Sequence, residues 1–139
     1  MLTYLLATRT EGPDLDLFLR GLSRASGPDD RLLVFHTGDG ETLRRLQAFA
    51  DHHPTRIIQT DTPLARLGDL LQLGLKMAET AYTFALTPTD RLQGDAITAV
   101  RAHLGAAAPD LCLVNSAWWL ADDEHPLPRT DSALFETLP

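Results

Sequence analysis

The feature that most constrains this chain is an alternation. Short, apolar, β-rich runs trade places with stretches of helical spacing along most of its length. Leu2 to Thr8 is apolar and bounded by polar residues, as suits a strand buried on both faces. Gly12-Pro13-Asp14 then opens a helix with Leu15, Phe18, Leu19 and Leu22 on one side, and Gly27-Pro28-Asp29-Asp30 stops it. A second strand, Arg31 to Thr37, leads through Gly38-Asp39-Gly40 into a helix over about Glu41 to His52. In that helix Leu43, Leu46, Phe49 and Ala50 share a face, while Arg44 and Arg45 read as solvated. His52 and His53, with no ligand cluster to join, read as surface residues before Pro54.

A third strand over Arg56 to Thr60 precedes Thr62 and Pro63, residues suited to start a helix. That helix carries Leu64, Leu67, Leu70, Leu71, Gly74, Leu75 and Ala78, and Gly74 within the stripe predicts close packing on the sheet. A strand from Tyr82 breaks at Pro88, and Asp95 caps a helix with Ile97, Val100 and Leu104 that Gly105 ends. The apolar run Leu111 to Leu120, with Cys112, Trp118 and Trp119, reads as a fifth strand. Five strands alternating with four helices predict an α/β fold, a three-layer α/β/α sandwich with a mostly parallel sheet.

Size and charge narrow the function classes. A chain of 139 residues fits one domain, which buries roughly 70% of its unfolded surface. Residues 1–121 read as that domain, and 122–139 as an acidic, proline-containing tail. The net charge of −7 disfavours nucleic acid and anionic membranes as partners. The lone Cys112 reads as a buried thiol, and no apolar segment reaches the length of a membrane span. A cytoplasmic protein, or the soluble part of a larger one, is the expectation. There is no Gly-x-Gly-x-x-Gly after the first strand, no Gly-Lys-Ser/Thr loop and no Gly-x-Ser-x-Gly elbow. Dinucleotide binding, P-loop chemistry and serine hydrolysis are thereby disfavoured.

What remains is the end of the fourth strand. In an open α/β sheet, ligands bind beyond the carboxyl ends of strands, so Asp90, just past Tyr82 to Leu86, is the leading candidate for function. The competing reading is an aspartate that only favours a turn.

The segment order and several residues resemble family 2 glycosyltransferases. The match runs from about Leu2 to Leu120 and is clearest in Gly74-Leu75-x-x-Ala78, then Tyr82-Thr-Phe-Ala-Leu86, then Asp90-x-Leu92-x-x-Asp95-Ala96-Ile97. The resemblance implies a GT-A fold binding a nucleotide-diphospho-sugar donor, with a saccharide or lipid-linked acceptor. It places Asp90 on the second aspartate of a metal-holding pair, for Mn²⁺ or Mg²⁺ on the diphosphate. It also implies a nucleotide pocket lined by Thr8, Arg9, His36, Asp39 and Arg66, the last positioned to neutralise phosphate.

The departures are equally concrete. Thr87 and Thr89 stand where that family has aspartates, His36 and Thr37 replace a carboxylate pair, and no general base is evident. Two readings follow. One is a metal-dependent, inverting glycosyltransferase-like domain. The other is a non-catalytic module that kept the fold, lost the carboxylates and serves a protein partner or homo-oligomer.

Overall fold

β1 (Leu2–Thr8) is buried along nearly its whole length, because strands pair with it on both sides. The structure, a computed structural model, describes residues 1–9, 12–61, 67–92, 94–108, 117–118 and 127–128. After β1 come α1 (Pro13–Ala25), β2 (Arg31–His36), α2 (Gly40–Ala50), β3 (Thr55–Gln59), α3 (Leu67–Met77), β4 (Tyr82–Leu86) and α4 (Gly94–Ala107). The four strands form one parallel sheet in the order β3-β2-β1-β4.

That order dictates the layers. The first two crossovers step outward from β1 in one direction and the third returns past it, so right-handed connections put α1 and α2 on one face and α3 on the other. Tyr4, Leu6, Leu32 and Val34 fill the first face, and Leu15, Phe18, Leu19 and Leu22 of α1 are buried with Leu46 of α2. On the second face Leu5, Leu33 and Phe35 pack with Leu70 of α3, and Ala7, Ile58, Leu71 and Met77 border them. Gly74 lies directly over Leu5, where a Cβ would come within 2.4 Å of a leucine methyl. The close packing expected of this glycine is therefore present.

At the amino end of the sheet a carboxylate ties the layers together. Asp30 is fully buried and accepts hydrogen bonds from Leu2 N (2.8 Å), Tyr4 Oη (3.2 Å) and Gly27 N (2.9 Å). Tyr4 also meets Phe84 edge-on, with ring centroids 6.4 Å apart.

Two compact units divide the chain, Met1–Thr98 and Ala99–Pro139, and the first contains the whole parallel sheet. In the second, Ala117–Trp118 (β5) pairs antiparallel with Leu127–Pro128 (β6) in a separate two-stranded sheet. The described part of the expected fifth strand thus belongs to a different sheet, and among the described residues the parallel sheet has four strands. An apolar run signals burial without naming its pairing partner. No helix among the described residues is long and apolar enough to cross a membrane.

Candidate functional site at the carboxyl ends of the strands

The strand order reverses at β1, so the topological switch point lies between β1 and β4. Crevices beyond the carboxyl ends at such points are the usual ligand sites of open α/β sheets. Three segments meet that end of the sheet: Thr8-Arg9 after β1, Thr37-Gly38-Asp39 after β2, and Thr87 to Leu92 after β4.

Thr8 and His36 are register partners and both are buried. The Thr8 hydroxyl lies 3.1 Å from His36 Nδ1, and His36 Nε2 lies 3.0 Å from the Asp39 carbonyl oxygen. A carbonyl only accepts, so in the neutral ring Nε2 carries the proton and Nδ1 accepts from Thr8. Both residues therefore form a floor beneath the strand ends. The amide of Thr37 adds a bond to the Thr8 carbonyl (3.0 Å), and the amide of Thr60 one to the His36 carbonyl (3.0 Å).

Above this floor, Gly38 rests on the backbone of Arg9. A Cβ there would sit 2.1 Å from the Arg9 carbonyl oxygen, so the position has room only for glycine. The Gly38 loop makes its close approach to the end of β1 itself. Arg9 and Asp39 are exposed at this rim. Asp39 is also the N-cap of α2, with Oδ1 accepting from Thr42 N at 2.8 Å. Arg66 lies outside the described residues.

Asp90 closes a turn. Its amide donates to the Thr87 carbonyl (3.0 Å), while its Oδ2 accepts from Thr87 N (2.6 Å) and Thr87 Oγ1 (3.0 Å). Thr87 Oγ1 is in turn 3.0 Å from Thr89 Oγ1. Among the described residues, no three His, Cys, Asp or Glu side chains cluster as a metal-binding group.

Two arginines that the sequence reading did not bring to the site frame the start of α1. Arg45, read as solvated, is half-buried: it donates to Asp16 Oδ2 (3.1 Å), Glu41 Oε1 (3.2 Å) and the Gly12 carbonyl (3.5 Å). Arg91 pairs with Asp14. Helical spacing places Arg45 off the apolar face but does not reveal an acidic neighbour on another helix. The start of α1 is consequently a poor phosphate cradle. Pro13 lacks an N–H, and Asp14 and Asp16 add negative charge to the first turn.

His53 also departs from its surface reading. It stacks on Phe49 with centroids 4.8 Å apart, its Nδ1 is 3.2 Å from Thr55 Oγ1, and its Nε2 is buried with no hydrogen-bond partner among the described residues. Burial holds its pKa below the ordinary value, against smaller upward pulls from the Pro54 backbone and the Asp30 charge. A cavity of about 390 Å³ opens at the opposite, amino end of the sheet, bounded by Met1, Thr3, Arg31, Leu33, Arg56 and Met77. It lies away from the strand-end loops.

No protein-family model and no curated protein matches the chain. Solved structures do match by fold. S. aureus TarS, residues 1–349, superposes with a TM-score of 0.68 at 15% identity over 75% of this chain and 32% of that one. The same TarS region in complex with UDP gives the same values, and in complex with UDP-GlcNAc a TM-score of 0.65 at 15% identity over 75% of this chain and 31% of that one. The chain spans about a third of the length of those TarS structures. The likeness is one of fold: this chain shares the fold of the matched part of TarS.

Proposed function

We propose that this chain is the donor-binding part of a family 2-like glycosyltransferase, holding a uridine-diphosphate sugar at the carboxyl ends of β1, β2 and β4. The observation that carries this reading is the convergence of three strand-end loops on the β1/β4 switch point in a fold shared with TarS, which has been captured with UDP and UDP-GlcNAc. Thr8 and His36 support the nucleotide by fixing the backbone beneath it. Arg9 and Asp39 supply charge and hydrogen bonding at the exposed rim.

Asp90 is the carboxylate for a divalent ion. Its Oδ2 is committed to Thr87, which leaves Oδ1 for a ligand. One carboxylate suits an Mn²⁺ or Mg²⁺ that arrives on the diphosphate and keeps its phosphate ligands, and does not suit an ion held by the protein alone. When bound, the ion would neutralise charge on the departing diphosphate. Asp90 and the turn it closes orient that group, and Arg9, which directly follows β1, adds positive charge at the rim.

A second reading, a binding module without catalysis, is favoured by one observation. Thr87 bonds to both Thr89 and Asp90, and the two threonines stand in positions where a catalytic loop would carry further carboxylates. Thermal unfolding with UDP and UDP-GlcNAc, with and without Mn²⁺, tests both readings. A ligand at one hundred times its Kd adds about 2.7 kcal/mol of stability. An Mn²⁺-dependent gain that disappears in Asp90→Ala supports the donor site. Stabilisation by UDP without any metal effect overturns the metal role of Asp90, and no stabilisation at millimolar nucleotide overturns the donor site and favours the module with a protein partner.

A further inference from the structure

We propose that Arg91 is a positioning residue that aims the Asp90 carboxylate by strapping its turn to α1. Resting on the donor-site reading, this names a residue with no place in the strand-end pattern itself. Arg91 Nη1 donates to the carbonyls of Pro88 and Asp90, both at 3.1 Å, and its Nη2 donates to Asp14 Oδ1 in the first turn of α1. One guanidinium thus holds two carbonyls of the turn and anchors them to a helix across the sheet end. The Leu92 backbone passes alongside α1 at Gly21, where an added Cβ would lie 3.8 Å from the Leu92 carbonyl oxygen, in ordinary van der Waals contact.

The two bonding patterns divide the work. Thr87 holds Asp90 Oδ2 from within the turn, which fixes the carboxylate relative to the loop. Arg91 holds the loop relative to the rest of the fold. A site with one carboxylate has no companion ligand to correct a displacement, so the placement of this turn decides how well Oδ1 meets an incoming ion. The planar fork of arginine satisfies both carbonyls and the carboxylate together, whereas the point charge of lysine does not reproduce that geometry.

The pair is partly exposed, with 34% of the Arg91 and 53% of the Asp14 side chain accessible. Pairs of that kind contribute little to global stability. Removing it should therefore leave the protein folded, and the aim of the loop can be read separately. The experiment is calorimetric titration of the full chain with UDP, with and without Mn²⁺, for the wild type, Arg91→Ala, Arg91→Lys, Asp14→Ala and the double alanine variant.

The quantity of interest is the factor by which Mn²⁺ tightens UDP. In Arg91→Ala and in Asp14→Ala that factor should fall about tenfold or more, the usual loss when a supporting partner of a metal ligand is removed. Metal-free UDP affinity should stay within about twofold, Arg91→Lys should not restore the factor, and the double variant should be no worse than either single one. An undiminished factor in Arg91→Ala overturns the positioning role and leaves the donor site standing. Equal loss of metal-free and metal-assisted binding also overturns it, because that is the signature of general damage. UDP binding by the wild type without any Mn²⁺ effect overturns it as well, and a wild type that binds no UDP overturns this inference and the donor site together.

Discussion

The Thr8 hydroxyl and Nδ1 of His36 meet across 3.1 Å of buried space, linking the ends of β1 and β2, and in the neutral ring the hydroxyl is the donor. Thr8→Val keeps the shape and deletes the donor, so Nδ1 is left buried and unpaired. The cost should be about 1–3 kcal/mol. Urea unfolding should show it as a lower midpoint with an unchanged slope.

Asp30 and Asp29 are sequence neighbours with opposite fates. Asp30 is enclosed and accepts from Leu2 N, Tyr4 Oη and Gly27 N, whereas Asp29 is exposed. Asp30→Ala should destabilise by about 3 kcal/mol or more, because buried donors lose a charged acceptor together. Asp29→Ala should stay within about 0.5 kcal/mol. Thermal and urea unfolding of the two variants in parallel compares them directly.

Glycines separate in the same way. Gly74→Ala drives a methyl into Leu5, an overpacking that should cost about 1–3 kcal/mol. At Gly105 a Cβ meets nothing within 4 Å, and the residue is helical in α4. Gly105→Ala should therefore stabilise by about 0.5 kcal/mol. Gly38→Ala presses on backbone that has nowhere to go, and should yield the least folded protein of the three.

His53 supplies a pH dependence. Its folded pKa lies below the unfolded value of about 6.5, so the unfolded chain binds the proton more readily. Stability is then full above the unfolded pKa and falls as pH drops from there through the folded pKa. His53→Phe keeps a ring against Phe49 and removes the titration. Urea unfolding between pH 7.5 and pH 5 should show a shallower decline in that variant than in the wild type.

The sheet and its layers were legible because periodicity is local. Leu15, Phe18, Leu19 and Leu22 announce a helix face, Leu32 to Phe35 a buried strand, and Gly74 a close approach, without knowledge of partners. The carboxyl-end loops followed from the same alternation. What stayed hidden depends on register. Thr8 and His36 are 28 residues apart and meet only because β1 and β2 pair in parallel at that offset. Arg91 and Asp14 are 77 apart and meet only once β4 has taken its place beside β1. Asp30 looked like the end of a stop signal, since nothing near it in sequence marks Leu2 and Tyr4 as its donors. The β5–β6 pairing was missed because composition does not choose between sheets.

Placing the first strand in the middle of the sheet has a consequence for biosynthesis. β1 leaves the ribosome before the strands it pairs with and can join β2 soon afterwards, yet its other edge must wait for β4. At typical translation speeds the interval between the two strands is roughly 2–9 seconds. Throughout it, the nascent chain carries an apolar strand with one open side, Leu2 to Leu6, the edge that β4 later covers. That interval is when a chaperone has most to shield, and when a second nascent chain on the same message has most to grasp.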